Sequence, residues 1–215
     1  MKVLVIGANG KIGTLLSEKL AKVESLEPLA MIRKAEQRAK FEAMNVPTVL
    51  ASLDQSVEAL SETIKMADVV VFTAGSGGGT GAEKTLEVDL DGAVKSMLAA
   101  EQEKVKRYVM VSAAGADIRE FWPKSGIKPY YIAKHFADQA LKQSNLDYTI
   151  LRPVMLTDNS AKGKIKIEDS PAKLNKEVSR EDVANVIVES LKNNTTKRKL
   201  FEFSEGETLI EEAIN

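Results

Sequence analysis

No cysteine occurs among the 215 residues, which excludes disulfides, thiolate nucleophiles and cysteine-based zinc sites. Histidine is nearly as scarce. His135 is the single one, so a multi-histidine metal centre is excluded and no metal is expected. Thirty basic against 31 acidic residues leave a formal charge of −1, with no basic field for nucleic acid and no polybasic membrane anchor. No apolar run nears the roughly 20 residues that span a bilayer. The apolar stretch after Met1-Lys2 is too short for a secretory signal. The expectation is a cytoplasmic protein acting on a small molecule, with neither nucleic acid nor membrane as partner.

What is present suits one globular domain over residues 1–215, with 44% hydrophobic and 28% charged residues. Short β-branched runs alternate with segments of helical period. Residues 3–6 are continuously apolar, as in a strand buried on both faces. Further strands are predicted at 28–32, 47–50, 69–72, 108–111 and 148–151. Between them Ile12, Leu16 and Leu20, then Val57, Leu60 and Ile64, then Leu86, Leu90, Ala93 and Met97, recur at helical spacing. Residues 130–143 form another helix. The pattern implies right-handed βαβ crossovers: an α/β fold, doubly wound, with a mostly parallel sheet of six to seven strands and helices on both faces. Beyond the sixth strand, residues 162–168 alternate as an exposed strand or hairpin arm. Ser179 and Asp182 suggest a capping box that opens a helix, residues 200–203 a last edge strand, and 207–214 a terminal helix. The irregular segment 154–178 is expected to cover the substrate side.

The first strand runs into Gly7-Ala8-Asn9-Gly10-Lys11-Ile12-Gly13, and Gly13 falls in the first turns of an amphipathic helix. In that setting Gly7 makes the tight turn, Gly10 admits a diphosphate to the backbone, and Gly13 lets helix pack on sheet. The helix N-terminus offers free N–H groups and positive potential. This is a dinucleotide site of Rossmann type, against the plain alternative of a turn without a ligand. An NAD-selective site ends its second strand in a carboxylate for the ribose 2′-hydroxyl. Here Arg33 and Lys34 stand instead, suited to the 2′-phosphate of NADP, unless they form only a solvated loop. Ser52 and Leu53, after the third strand, join the cofactor-binding set.

The GxxGxxG spacing resembles that of extended and atypical short-chain dehydrogenase/reductases, and the resemblance runs along nearly the whole chain. Thr73-Ala74-Gly75 resembles that family's segment beside the nicotinamide. Tyr130 and Lys134 match its YxxxK motif, and Arg152-Pro153-Val154 its Arg-Pro-Gly segment. The run from Ser76 to Lys84, with Val88-Asp89 after it, is similar to an atypical group of NADP-dependent epimerases or reductases. The resemblance implies Tyr130, Lys134, Ser112 and Asp89 as catalytic residues, and Pro153 and Val154 at the cofactor. It also implies a homodimer built on long helices. Two departures stand out. The family's substrate-orienting serine aligns best with Ala113, so Ser112 serves only if the strand end shifts by one residue. Asp89 stands where the family has asparagine, or is a plain helix-surface charge.

Spacing agrees with part of this: four residues apart on a helix, Tyr130 and Lys134 share a face, where the ammonium would lower the phenol's pKa for proton transfer. Tyr131 points about 100° away. His135 reads as a half-exposed helix residue without an evident carboxylate partner. The glycines from Gly75 to Gly81 are expected to edge the cofactor cleft, with Lys84 facing it. Three functions follow: an NADP(H)-dependent oxidoreductase acting on a small carbonyl, a non-catalytic NADP(H)-binding sensor, or a sugar-nucleotide epimerase. The last needs a large substrate domain, yet only about sixty residues follow the sixth strand.

Overall fold

A computed structural model describes all 215 residues. The strands β1 (Lys2–Ile6), β2 (Glu27–Ile32), β3 (Thr48–Leu50), β4 (Val69–Phe72), β5 (Arg107–Val111) and β6 (Asp147–Pro153) pair in parallel in the order β3-β2-β1-β4-β5-β6. The helices α1 (Lys11–Leu20), α2 (Arg38–Glu42) and α3 (Val57–Ile64) connect the first four strands. Between β4 and β5 the chain winds through α4 (Gly81–Thr85), a π-helical stretch Leu86–Gly92 and α5 (Ala93–Gln102). The helix α6 (Lys128–Gln143) joins β5 to β6.

Alternation along each buried strand divides the core. Val3 and Val5 face one apolar layer with Leu16 and Leu20 of α1, whereas Leu4 and Ile6 face the other with Leu60 of α3 and Met97 of α5. This is why β1 has no polar position after Lys2: each face of the sheet carries a helical layer. No helix is long and apolar enough to cross a membrane.

The last third departs from the sequence expectation. It holds β7 (Met155–Thr157), β8 (Lys164–Glu168), β9 (Glu177–Ser179), α7 (Arg180–Lys192), β10 (Lys199–Glu205), β11 (Thr208–Leu209) and α8 (Ile210–Ala213). Nine strands, rather than six or seven, form the main sheet, continuing β6-β10-β8-β11, while β7 and β9 pair separately. The strand expected at the edge, β10, is interior, parallel to β6 and antiparallel to β8. Its polar residues mislead. Glu202 and Ser204 are buried, Glu202 because it meets the buried Arg152 across the sheet at 3.0 Å. The expected terminal helix shrinks to one turn behind the two-residue β11. Residues 154–178 are no continuous cover either, since β8 belongs to the main sheet.

The cap of α7 also differs in detail. Ser179 Oγ accepts from the Asp182 N–H at 2.9 Å, as expected. The Asp182 carboxylate does not return to the Ser179 backbone. It accepts from the Ser179 hydroxyl and from the N–H groups of Lys162 and Gly163, each at 2.9 Å, tying the 160s loop to the helix.

Candidate active site

Strand order reverses between β1 and β4, and there the loops after the two strands diverge to leave a cleft of about 900 Å³. Gly7 turns the chain out of β1 with φ +84°, and a Cβ there would lie 2.5 Å from the Ala74 backbone nitrogen. A Cβ on Gly13 would lie 2.3 Å from the Gly7 carbonyl oxygen. Both positions therefore require glycine, one for the turn and one for the fit of α1 against it. Gly10 precedes α1 without a side-chain cap, so the first-turn N–H groups stay open to a ligand.

The walls gather most of the residues expected from sequence. Gly7, Asn9, Gly10, Lys11 and Ile12 line the cleft from the turn. Arg33 does so from the end of β2, and Ser52 and Leu53 from the end of β3. Thr73, Ala74 and Gly75 contribute from β4, and Asp89, Ser112, Tyr130 and Lys134 complete the far side. Five others lie outside the lining. Ala8 is buried behind the turn, and Gly13 serves packing. Lys34 is exposed, its N–H held by Gln37 Oε1 at 3.3 Å. Pro153 and Val154 are drawn into backbone pairing with Ala114 and Phe203, and Leu156 reaches the cleft in their place. The glycine-rich loop does edge the cleft, with nothing near the Cβ positions of Gly77, Gly78, Gly79 and Gly81. Lys84 faces it too, paired with Glu87 at 2.7 Å and Asp54 at 3.5 Å.

Tyr130, Lys134 and Asp138 follow one another at four-residue intervals on α6 and form a polar stripe, with Tyr130 half-buried at the cleft and Lys134 and Asp138 buried. Lys134 is 4% exposed and Asp89 1%. The Lys134 Nζ lies 3.1 Å from Asp89 Oδ1, an ion pair without hydrogen-bond alignment, and donates to the Val111 carbonyl oxygen at 3.3 Å. It also lies 5.5 Å from the centre of the Tyr130 ring. The other Asp89 oxygen accepts from the Ser76 N–H at 2.9 Å, so this residue joins α6 to the start of the glycine-rich loop. Asp89 is therefore no surface charge. It sits in the π-helical stretch, a local widening of the kind that recurs at functional sites.

Burial by itself would lower the Lys134 pKa, but the Tyr130 oxygen and the Asp89 carboxylate raise it above the ordinary lysine value. For Tyr130, burial pushes the phenol up and Lys134 pulls it down. With Asp89 and Asp138 adding upward pressure, the phenol ends above its usual 10.0. Lysine's expected lowering effect operates but loses. Tyr130 therefore keeps its proton at neutral pH.

Ser112, not Ala113, lines the cleft beyond β5. Its hydroxyl donates to Asp138 Oδ2 at 2.9 Å, leaving oxygen lone pairs as its free hydrogen-bonding capacity. Asp138 in turn accepts from Arg152 Nε at 2.8 Å. The guanidinium of Arg152 also meets Asp117 at 2.8 Å and Glu202 at 3.0 Å. Burial raises the Asp138 pKa, and Arg152 and Ser112 only partly offset it. Sequence reading passed over Asp138, although its place one turn beyond Lys134 was a usable signal. His135 does have a carboxylate partner: its Nδ1 lies 2.9 Å from Asp117 Oδ1. Eighteen residues separate the two, beyond the reach of a local pattern.

Fold, glycine turn and strand order together define a dinucleotide-binding domain of Rossmann type. Residues 7–194 match the NAD(P)H-binding family, and the chain belongs to it. It is 44% identical over 216 residues to YhfK of Bacillus subtilis, an uncharacterized sugar epimerase by name, covering 100% of this chain and 99% of that one. The solved oxidoreductase ylbE of Lactococcus lactis superposes with a TM-score of 0.87 at 33% identity, over 100% of this chain and 95% of that one. A Veillonella parvula short-chain dehydrogenase/reductase in complex with NADP shares the fold, with a TM-score of 0.77 at 22% identity over 96% and 95% of the two chains.

Proposed function

We propose that this chain is an NADP(H)-dependent oxidoreductase that reduces a small carbonyl or related compound, working in the cytoplasm. What carries the reading is that Tyr130 and Lys134 wall the same cleft as the Gly7–Gly13 turn. The cofactor fits on local grounds: a tight turn whose backbone contacts leave no room for a Cβ at Gly7 or Gly13, and open amides at the start of α1. When bound it supplies the hydride.

The chain's own residues do the remaining work. The first amides of α1 hold the diphosphate. Arg33, exposed at the cleft wall, grips the 2′-phosphate. Lys134, fixed by Asp89 and the Val111 carbonyl, keeps a positive charge beside Tyr130. Tyr130 holds the proton and gives it to the substrate oxygen as negative charge develops there. Ser112 has committed its own proton to Asp138, so on this reading it orients a donor group rather than polarising the carbonyl.

Calorimetry tests the cofactor half. NADPH is expected to bind about tenfold more tightly than NADH, because one charge-assisted contact is worth ~1.5–3 kcal/mol. Arg33→Ala should erase the difference by weakening NADPH alone. Equal dissociation constants in the unaltered protein would remove Arg33 from this role.

A non-catalytic NADP(H)-binding sensor is the second reading. The Asp89 carboxylate, which offsets the Lys134 charge and helps raise the Tyr130 pKa, is the observation in its favour. Oxidation of NADPH by carbonyl compounds or quinones separates the two. A sugar-nucleotide epimerase draws support from the name of the Bacillus subtilis relative. Against it, β8, β10 and β11 enter the main sheet and do not form a separate substrate domain.

A further inference from the structure

A second cavity, of about 470 Å³ and lined by polar or charged residues except for Leu15, adjoins the cleft. Its walls come from the start of α1, the turn at residues 157–160 and the start of α7, with Lys40 of α2 on its rim. Asn9, Lys11 and Arg180 line both cavities and therefore stand between them. At that junction one carboxylate holds two cations. Asp158 accepts from Lys11 Nζ at 2.5 Å and from Arg180 Nη1 at 2.7 Å.

Resting on the dinucleotide reading above, we propose that Arg180 is a diphosphate-binding residue, and that Asp158 is an internal anion displaced when the diphosphate arrives. Three features of this chain lead there. Lys11 belongs to the first turn of α1, whose free N–H groups mark the diphosphate position. The Arg180 side chain is only 23% exposed, against 66% for Lys11, so it is held at the cleft and not splayed into solvent. The carboxylate between them presents two oxygens to two cations, as a phosphate would.

The contact has a thermodynamic consequence. A diphosphate reaching these cations must compete with Asp158, so the carboxylate lowers cofactor affinity by the free energy of the contact it gives up. Asp158 is itself well exposed and its oxygens rehydrate readily once released. Because it is anchored in the 157–160 turn next to β7, its release also frees that turn, which leads back to Leu156 in the cleft wall. Cofactor occupancy and the position of this turn are thereby coupled.

The test is calorimetry of the whole protein with NADPH and with NADH. Arg180→Gln is expected to raise both dissociation constants by about tenfold and by a similar factor, because the diphosphate is common to the two ligands. Asp158→Asn is expected to lower both several-fold. Unchanged affinities in Arg180→Gln overturn the proposal while leaving the dinucleotide reading intact. A loss confined to NADPH also overturns it, since Arg180 would then read the 2′-phosphate. If neither nucleotide binds the unaltered protein, the underlying cofactor reading fails instead. Should Arg180→Gln not fold, Asp158→Asn decides alone: unchanged or weaker binding rejects displacement.

Discussion

Tyr130→Phe is expected to lower turnover by about 10²–10⁴-fold while leaving NADPH affinity within about twofold, because only the proton donor is removed. The ring remains to pack beside Lys134 and Tyr131. The hydroxyl is the one group in the cleft combining an ionisable proton, a neighbouring cation and a place opposite the glycine turn. Its pH behaviour follows from the same surroundings. The folded-state pKa lies above 10.0, so the protonated form dominates through neutral pH and is lost only as pH rises past that value. The basic limb of the turnover profile should therefore fall above pH 10.0, and Tyr130→Phe should abolish it. Turnover of the phenylalanine variant equal to that of the parent, on any accepted substrate, would exclude the role.

Asp89→Ala is expected to cost about 3–5 kcal/mol of stability, since it strands Lys134 as an unpaired buried charge. It also removes the acceptor for the Ser76 N–H. For a chain of this length that corresponds to a fall in melting temperature of roughly 10 °C. The double variant Asp89→Ala with Lys134→Met should recover much of the loss, because apolar replacement of both members of a buried pair is often close to neutral. A thermal scan reading Asp89→Ala as unchanged would mean that the pair is solvated in solution. Asp89→Asn separates charge from hydrogen bonding. It retains an acceptor for Ser76 and loses the ion pair, so the glycine-rich loop stays anchored while Lys134 does not.

These consequences were unevenly visible beforehand. In the linear chain Asp89 reads either as the residue at the family's asparagine position or as a plain helix-surface charge. Three-dimensional packing decides for burial, because the π-helical stretch brings the carboxylate to a lysine 45 positions away. Ser112 was ambiguous by one residue. A shift of one position along a strand reverses which face a side chain takes, and only the end of β5 at Val111 resolves it. Arg180 falls in the sequence between the capping residues Ser179 and Asp182. Nothing in that local pattern connects it to Lys11, which meets it through a third residue, Asp158.

The dinucleotide cradle was readable from the chain alone because it is built by consecutive residues: a buried strand, a glycine turn and a helix start within the first twenty positions. The same holds for the paired faces of Tyr130 and Lys134, one helical turn apart. Tertiary structure alone decided the interior place of β10, the Ser112–Asp138–Arg152–Glu202 chain of polar contacts and the Lys11–Asp158–Arg180 contact. Each depends on polar groups compensating one another across long separations, 50 residues for Arg152 and Glu202. Local periodicity registers a polar side chain as outward-facing, whereas its burial is set by whether a distant partner of opposite charge arrives to meet it.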